Sequence, residues 1–441
     1  MQYSKHNIFS KIRDSENHFI INLISKNADI LSPQVAEELS GIKENGMHDT
    51  MHLSEFIEKG YVADEKAESI KYKNAYLDFI DSRDSDEVQL FFVPNYSCNF
   101  ACTYCYQDAY TNANSEVTTE IVDAFFNYIR QYFANRKKYI TVFGGEPLLN
   151  SPKQKEMITY FISKANEHGL ELSFVTNGYT LKDYVDIIKS GNTREVQITL
   201  DGTETVHNSR RFLKNHEGTF NRIVEGIDAC LQNNITVNLR VVVDKENIED
   251  LPLLSQFAID KGWTKHENFK TQIGRNYELH HCSSSPEKLF SRISLYEKLY
   301  ALIQEYPHII EFYQPSYSIS KFLFENGELP DPLFDACPAC KTEWAFDYTG
   351  RVYSCTATVG KEDEALGTFF PEVTLQDDIV EQWQSRDVTE ISGCSECSLQ
   401  LACGGGCGSI AKNRTGAICS TDCRPVKELL ELGFSTYADK I

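Results

Sequence analysis

Fourteen cysteines in 441 residues are the chemistry-bearing feature of this sequence. Three of them fall within eight residues, as Cys98-x3-Cys102-x2-Cys105. Three thiolates can wrap one metal centre without completing four-fold coordination. On a [4Fe–4S] cubane this leaves one iron open, which catalysis at a metal requires. Three ligands of a zinc site with a distant fourth would show the same spacing. Position separates the two, because the motif follows the apolar run Val88–Pro94, and a structural zinc has no reason to sit at the mouth of a first strand. A second, C-terminal array comprises Cys337, Cys340, Cys355, Cys394-x2-Cys397-x5-Cys403-x3-Cys407, Cys419 and Cys423. Taken alone, eight thiolates there would suit two four-cysteine zinc sites, since C-x2-C pairs are typical of zinc ribbons. Gly404-Gly405-Gly406, between two of these cysteines, lets the backbone fold tightly around them. Cys230 and Cys282 stand apart and read as buried or incidental thiols.

The rest of the composition narrows the setting. A formal charge of -21 repels phosphate backbones and anionic lipid surfaces, so neither nucleic acid nor membrane is an expected partner. The first residues have no apolar core of a secretory signal, and no run approaches 18 apolar residues. A cytoplasmic location with reduced thiols is expected, which turns clustered cysteines towards metal chemistry and away from disulfides.

Three segments must position these residues. Residues 1–85 read as a small front unit: a strand at 18–24, a second at 28–31, a helix entered through Ser32-Pro33, a helix at 51–59 and a short strand at Tyr61-Val62. This order suggests a winged-helix-like module, and the charged run 81–87 reads as its linker. Residues 86–310 alternate strands at 88–94, 139–143, 172–176, 196–200, 237–243 and 270–273 with amphipathic helices near 118–134, 152–168, 181–190, 219–233, 247–261 and 287–305. Six β–α units predict an α/β fold with a parallel sheet, as an open (β/α)6 partial TIM-like barrel whose chemistry sits at the C-terminal strand ends. Residues 311–441 lose the alternation and hold the second cysteine array.

The first motif resembles that of the radical S-adenosylmethionine (SAM) superfamily, with Tyr104 as the aromatic before the last cysteine. The resemblance implies a [4Fe–4S] cluster on Cys98, Cys102 and Cys105. Its open iron would be chelated by the amino and carboxylate groups of SAM, which reductive cleavage converts to a 5′-deoxyadenosyl radical. Gly144-Gly145-Glu146-Pro147 resembles the family's GGEP loop; there the glycines allow close approach of a ligand and the acid accepts from the methionine amine. Thr199-Leu200-Asp201-Gly202, His207 to Arg211 and Gly218-Thr219-Phe220 resemble a further family stretch. By that match Thr199 contacts the cofactor ribose or carboxylate, and Arg211 the methionine carboxylate. Arg210 reads as a surface ion pair. Arg240, inside an apolar strand, is expected to line the site.

The second array resembles the SPASM domain, which implies two fully ligated auxiliary [4Fe–4S] clusters. Family connectivity groups Cys337, Cys340, Cys355 and Cys407 on one, and Cys394, Cys397, Cys403 and Cys423 on the other. Cys423 is preferred to Cys419 because it directly precedes an expected helix at 426–432. Together the resemblances cover roughly residues 88–430 and imply a peptide- or protein-modifying oxidoreductase, fed electrons by a flavodoxin- or ferredoxin-type donor. Ribosomal-peptide maturases, which often carry a leader-binding winged-helix domain, fit the long front unit. The precursor peptide is then the expected partner, and oxidative crosslinking the expected reaction. Anaerobic sulfatase maturases are the alternative, although they carry an Asp after the third SPASM cysteine where this chain has Thr356. A non-catalytic Fe–S or zinc redox sensor or scaffold is the alternative of another class. No general base is singled out by spacing, so the catalytic residue on the substrate side stays unknown.

Overall fold

The computed structural model describes residues 1–105, 107, 116–276 and 286–438; Cys282 lies outside them. The front unit begins with β1 (Gln2–Tyr3), β2 (Asn7–Lys11), β3 (His18–Asn22) and β4 (Asn27–Leu31). The helices α1 (Pro33–Asn45) and α2 (Leu53–Glu58), then β5 (Val62–Ala63) and α3 (Glu65–Ser85), complete it. Strands β2, β3 and β4 form an antiparallel sheet, while β5 pairs with β1. Ser32 caps α1 by accepting from the Val35 amide, with Pro33 at the first helical position, as the Ser-Pro pair predicts.

Strand β3 is buried on both faces. Ile20 packs with Leu39, Ile42 and Phe56 of α1 and α2. Phe19 and Ile21 turn the other way, onto Phe334, Val388, Leu430 and Phe434 of the C-terminal segment. A strand covered on both sides has no polar face, which is why His18–Ile24 reads as nearly continuous apolar sequence. Most of the charged run expected as a linker, residues 81–85, is instead the end of α3, a 21-residue helix capped by Asp64, and only Asp86 and Glu87 connect it to β6. Its charges are mostly exposed, apart from the buried Glu68, which accepts from Ser4 Oγ. Its inner side places Tyr72, Tyr76 and Phe79 around the fully buried Phe334, with ring centroids 5.2 to 5.5 Å apart.

The six expected strands are β6 (Val88–Val93), β7 (Lys138–Val142), β8 (Leu172–Thr176), β9 (Thr193–Thr199), β10 (Val237–Val243) and β11 (Phe269–Arg275). They pair in parallel, in sequence order. Between them run α4 (Thr119–Tyr132), α5 (Pro152–Glu167), α6 (Val185–Lys189), α7 (Glu204–Arg210), α8 (Phe220–Gln232) and α9 (Leu251–Asp260), with α10 (Arg292–Glu305) after the last strand. The result is the partial barrel.

One further strand joins it. β12 (Glu343–Asp347), from the cysteine-rich segment, pairs in parallel with β6 from Glu343↔Gln89 to Asp347↔Val93. β13 (Arg351–Tyr353), β14 (Ala365–Thr368) and β15 (Thr374–Leu375) follow antiparallel, giving one sheet of ten strands. Among the described residues no helix is long and apolar enough to cross a membrane. Phe334 is the buttress between front unit and C-terminal segment, so Phe334→Ala is expected to cost about 3–5 kcal/mol in chemical denaturation, with loosening of α3 read by hydrogen exchange.

Candidate functional site

The loop after β6 carries Cys98, Cys102 and Cys105, and a second segment zips onto it edge to edge. Ala101 N–H donates to Phe212 O (2.9 Å), Thr103 N–H to Arg210 O (3.0 Å) and Lys214 N–H to Asn99 O (3.1 Å). That second segment is the sequence stretch after α7, and side chains fix its shape. His207 Nδ1 accepts from the Asp201 amide at 3.1 Å and its other ring nitrogen meets Thr219 Oγ1 at 3.0 Å. Burial, then Arg211 and Arg210, hold this imidazole well below its usual pKa, in the neutral form that the bonding requires. Asn208 Oδ1 accepts from the Thr219 and Phe220 amides, capping α8. His207, Asn208 and Thr219 are therefore scaffold for the cysteine loop.

The loop after β7 closes the other side. A Cβ on Gly145 would lie 2.3 Å from Ser97 O, and one on Gly144 would lie 2.6 Å from Asn95 O. The glycines thus admit the cysteine loop's own backbone. Glu146 is fully buried and does not line the cavity; its carboxylate accepts from Thr176 Oγ1 (2.6 Å), Asn177 N (2.6 Å) and Leu148 N (2.8 Å). It ties the end of β7 to the end of β8. Burial raises its pKa, against these three donors.

These loops roof a cavity of about 820 Å³ within the barrel. Cys98, Cys102, Cys105, Tyr104, Gly144, Gly145, Thr199, Arg211 and Arg240 all line it. Burial raises the Cys98 and Cys102 thiols to about 11, and Arg211 works in the opposite direction at both. Arg211 donates to Tyr104 Oη at 2.8 Å, and its Nε, buried, has no partner among the described residues. An orphaned guanidinium nitrogen beside three thiols, in a cavity of this size, fits a carboxylate-bearing cofactor on a cluster. Tyr104 in turn donates to Asp201 at 2.5 Å.

Arg210 departs from its expectation as a surface ion pair. It is 4% exposed, forks onto Asp244 at 2.9 and 3.0 Å, reaches Asp201 at 3.5 Å and stacks over the Tyr104 ring at 5.0 Å. Sequence reasoning missed Asp244 as well; the available signal was a lone acid directly after the apolar run of β10.

In the C-terminal segment the cysteines fall into two groups by electrostatic reach. Burial raises the Cys355 thiol, with Glu343, Cys337 and Cys407 also acting on it. Burial likewise raises Cys340, with Cys355 and Cys337 adding to the rise. The Cys394 thiol goes up to about 11 by burial, helped by Cys403, Cys423 and Cys397. Cys419 is raised by burial and feels Arg386, Glu390 and Asp387, with no cysteine among its causes. Among the described residues no three His, Cys, Asp or Glu side chains converge on a point able to hold a single ion. These are therefore groupings by proximity and not by coordination geometry. Gly404, Gly405 and Gly406 all have positive φ, between 61° and 70°, which makes the tight turn between Cys403 and Cys407. Cys230 is fully buried in α8, and burial takes its thiol to about 12.

Two side chains knit the irregular loops. Arg386, 0% exposed, donates to the carbonyls of Gly405, Gly406, Ile418 and Ser420 and pairs with Asp335. Asp422, also 0% exposed, accepts from the Cys407 amide at 3.0 Å and from Arg292 of α10 at 2.6 and 3.1 Å. Thr356, next to Cys355, lines the barrel cavity, and its amide donates to Glu343 at 2.7 Å. Because Arg210 balances two buried carboxylates, Arg210→Met is expected to destabilise the protein by about 3–5 kcal/mol, measured by denaturant titration at neutral pH.

Residues 92–258 match the radical SAM superfamily. A GTP 3′,8-cyclase of Nautilia profundicola is 28% identical over 171 residues, 38% of this chain and 51% of the cyclase. The chain thus spans about half the length of such curated relatives. Among solved structures, anSMEcpe with bound AdoMet and Cp18Cys peptide covers 80% of this chain and 99% of its own (TM-score 0.63, 17% identity). Streptococcus suis SuiB bound to precursor peptide SuiA covers 96% of this chain and 99% of its own (TM-score 0.56, 16% identity). Fold, motif placement and family match agree that the barrel of this chain is a radical SAM domain, with the SAM-binding [4Fe–4S] cluster that such a domain implies.

Proposed function

We propose that the protein is a peptide maturase that uses SAM and two auxiliary clusters to oxidise, and crosslink, a ribosomally made peptide. The observation that carries the proposal is the sorting of eleven thiols. Three line the barrel cavity beside Arg211, four (Cys337, Cys340, Cys355 and Cys407) lie within reach of one another, and three more (Cys397, Cys403 and Cys423) lie around Cys394 to make the last four. In this reading Cys98, Cys102 and Cys105 hold the cluster with the open iron. Cys337, Cys340, Cys355 and Cys407 hold one auxiliary cluster, and Cys394, Cys397, Cys403 and Cys423 the other, making residues 311–441 a SPASM domain. When bound, the SAM-ligated cluster supplies a hydrogen-abstracting radical, and the auxiliary clusters accept an electron.

The chain's own residues place the cofactor and exclude water. Arg211 takes the methionine carboxylate and Thr199 a ribose or carboxylate oxygen. Gly144 and Gly145 let the cysteine loop lie against the end of β7, and Glu146 N–H donates to Ser97 O of that loop at 2.8 Å. Thr356 supplies no carboxylate where sulfatase maturases have one, so the formylglycine reaction lacks its expected base.

The front unit supports a peptide substrate. SuiB, whose structure holds a precursor peptide, matches this chain over 96% of its length, front unit included, while anSMEcpe matches 80%. One edge of the front sheet, β2, is flanked by the C-terminal helix Val426–Tyr437, through Ser10 to Glu431 and Arg13 N–H to Glu431 O. The other edge, β4, carries the exposed Ile30 and is open to add a leader segment as a fourth strand. A flavodoxin- or ferredoxin-type donor would supply electrons. Anaerobically reconstituted protein with SAM and dithionite is expected to release 5′-deoxyadenosine. The triple substitution Cys98→Ala, Cys102→Ala, Cys105→Ala should abolish release while keeping about 8 of 12 iron atoms; release that persists in the variant contradicts the assignment.

A further inference from the structure

We propose that Arg240 anchors a carboxylate of the substrate, an acidic side chain of the peptide, inside the barrel lumen. This rests on the reading of the protein as a radical SAM enzyme acting on peptides.

The chain carries a net charge of -21. Among the described residues its barrel cavity has the opposite balance: Arg194, Arg211, Lys214, Arg240, Lys270 and Arg275 line it, against the single acid Glu195. Most of these cations are already engaged. Arg194 pairs with Glu87 at 2.6 Å, Lys270 pairs with Glu195, Arg275 donates to Phe290 O, and Lys214 is exposed at the rim. Two guanidiniums remain. Arg211 lies among Cys102 and Tyr104 and is the one suited to the cofactor. Arg240, half-buried in the middle of β10, has no carboxylate, carbonyl or hydroxyl partner among the described residues. SAM brings one carboxylate, so one guanidinium is left over.

Arg240 is also held ready. It stands in register between Thr199 of β9 and Gln272 of β11. Its guanidinium lies across Gly274, where a Cβ would come within 2.8 Å of Nη2 and 3.1 Å of Cζ. The absent side chain at Gly274 is the shelf on which the planar group rests. A partly desolvated arginine without a partner gains most from a carboxylate, which it binds through two parallel hydrogen bonds. A second, independent mark of a polar occupant is Ser173 Oγ: the residue is 4% exposed, lines the same cavity and has no hydrogen-bond partner. A polyphosphate is disfavoured, because it would need several free cations and Arg194 and Lys270 are neutralised in place.

The test uses anaerobically reconstituted enzyme saturated with SAM, titrated by saturation-transfer NMR. The probes are the capped tripeptide alanyl-glutamyl-alanine, its glutaminyl counterpart, and the pair propionate and propionamide, with inorganic triphosphate as competitor. The expected result is a preference of about 10-fold or more for each acid over its amide. That preference should fall to within about two-fold in Arg240→Gln, and also in Gly274→Ala, which keeps the charge but displaces it. The proposal is overturned by equal affinity for acid and amide in the wild-type enzyme, or by a preference that survives Arg240→Gln. It is equally overturned by triphosphate outcompeting the acids, or by loss of SAM binding in Arg240→Gln, which would make Arg240 a cofactor ligand. Arg240-dependent binding of propionate without binding of either tripeptide keeps the anchor and overturns the peptide reading alone.

Discussion

The parallel ladder between β6 and β12 joins the cysteine loop of the barrel to Cys340 and Cys355 of the C-terminal segment. Immediately after β6 comes the loop with Cys98, and β12 runs between Cys340 and the hairpin that presents Cys355. Main-chain hydrogen bonds hold the two strands in register, and side chains lock the same seam: Tyr96 and Tyr353 both donate to Asp347, at 2.8 and 3.0 Å. Tyr348 N–H adds a bond to Val93 O at the strand end. The seam makes Thr356, a residue of the cysteine-rich segment, part of the barrel cavity wall. The residue after Cys355 is thereby held in the wall of the chamber by the sheet itself.

Away from that ladder the cysteine loops have little regular structure, and buried backbone groups there need other partners. Charged side chains supply them. Arg386 satisfies four carbonyls around the triple-glycine turn, Asp422 holds the Cys407 amide, and Arg210 joins Asp201 to Asp244 beneath Tyr104. Each is a buried charge whose desolvation is offset only by the full set of bonds it makes. The design places ionic hubs under loops whose own backbone cannot hold a shape.

Much of this was legible in the sequence. Leu172–Thr176 and Val237–Val243 have the bounds the sequence predicts, because their alternate apolar residues (Leu172 and Phe174; Val237, Leu239, Val241 and Val243) are buried while polar ones between them, Ser173 and Arg240, line the cavity. The cysteine spacings mark the loops that the structure gathers. What escaped was set by partners distant in sequence. The charge of Arg210 points to solvent until Asp201 and Asp244 are folded around it. The run 81–87 reads as a linker because most of its polar residues are the outer face of α3, whose inner face is declared only by Phe334. β12 is marked only by the three apolar residues Trp344-Ala345-Phe346, and its place beside β6 is set by a strand far away in sequence. Glu146 matches a cofactor-binding loop by motif, yet Thr176 and Asn177 draw its carboxylate away from the cavity. The glycines beside it are required by the cysteine loop's own backbone.

The proposed function requires eleven thiols to form one open and two closed iron–sulfur sites. Metal and sulfide analysis of anaerobically reconstituted protein, paired with Mössbauer spectroscopy, tests it directly. The account predicts about 12 iron and 12 sulfide per chain, with one of the three cubanes changing its spectrum on addition of SAM. Zinc at two sites, or iron unaffected by SAM, would contradict it.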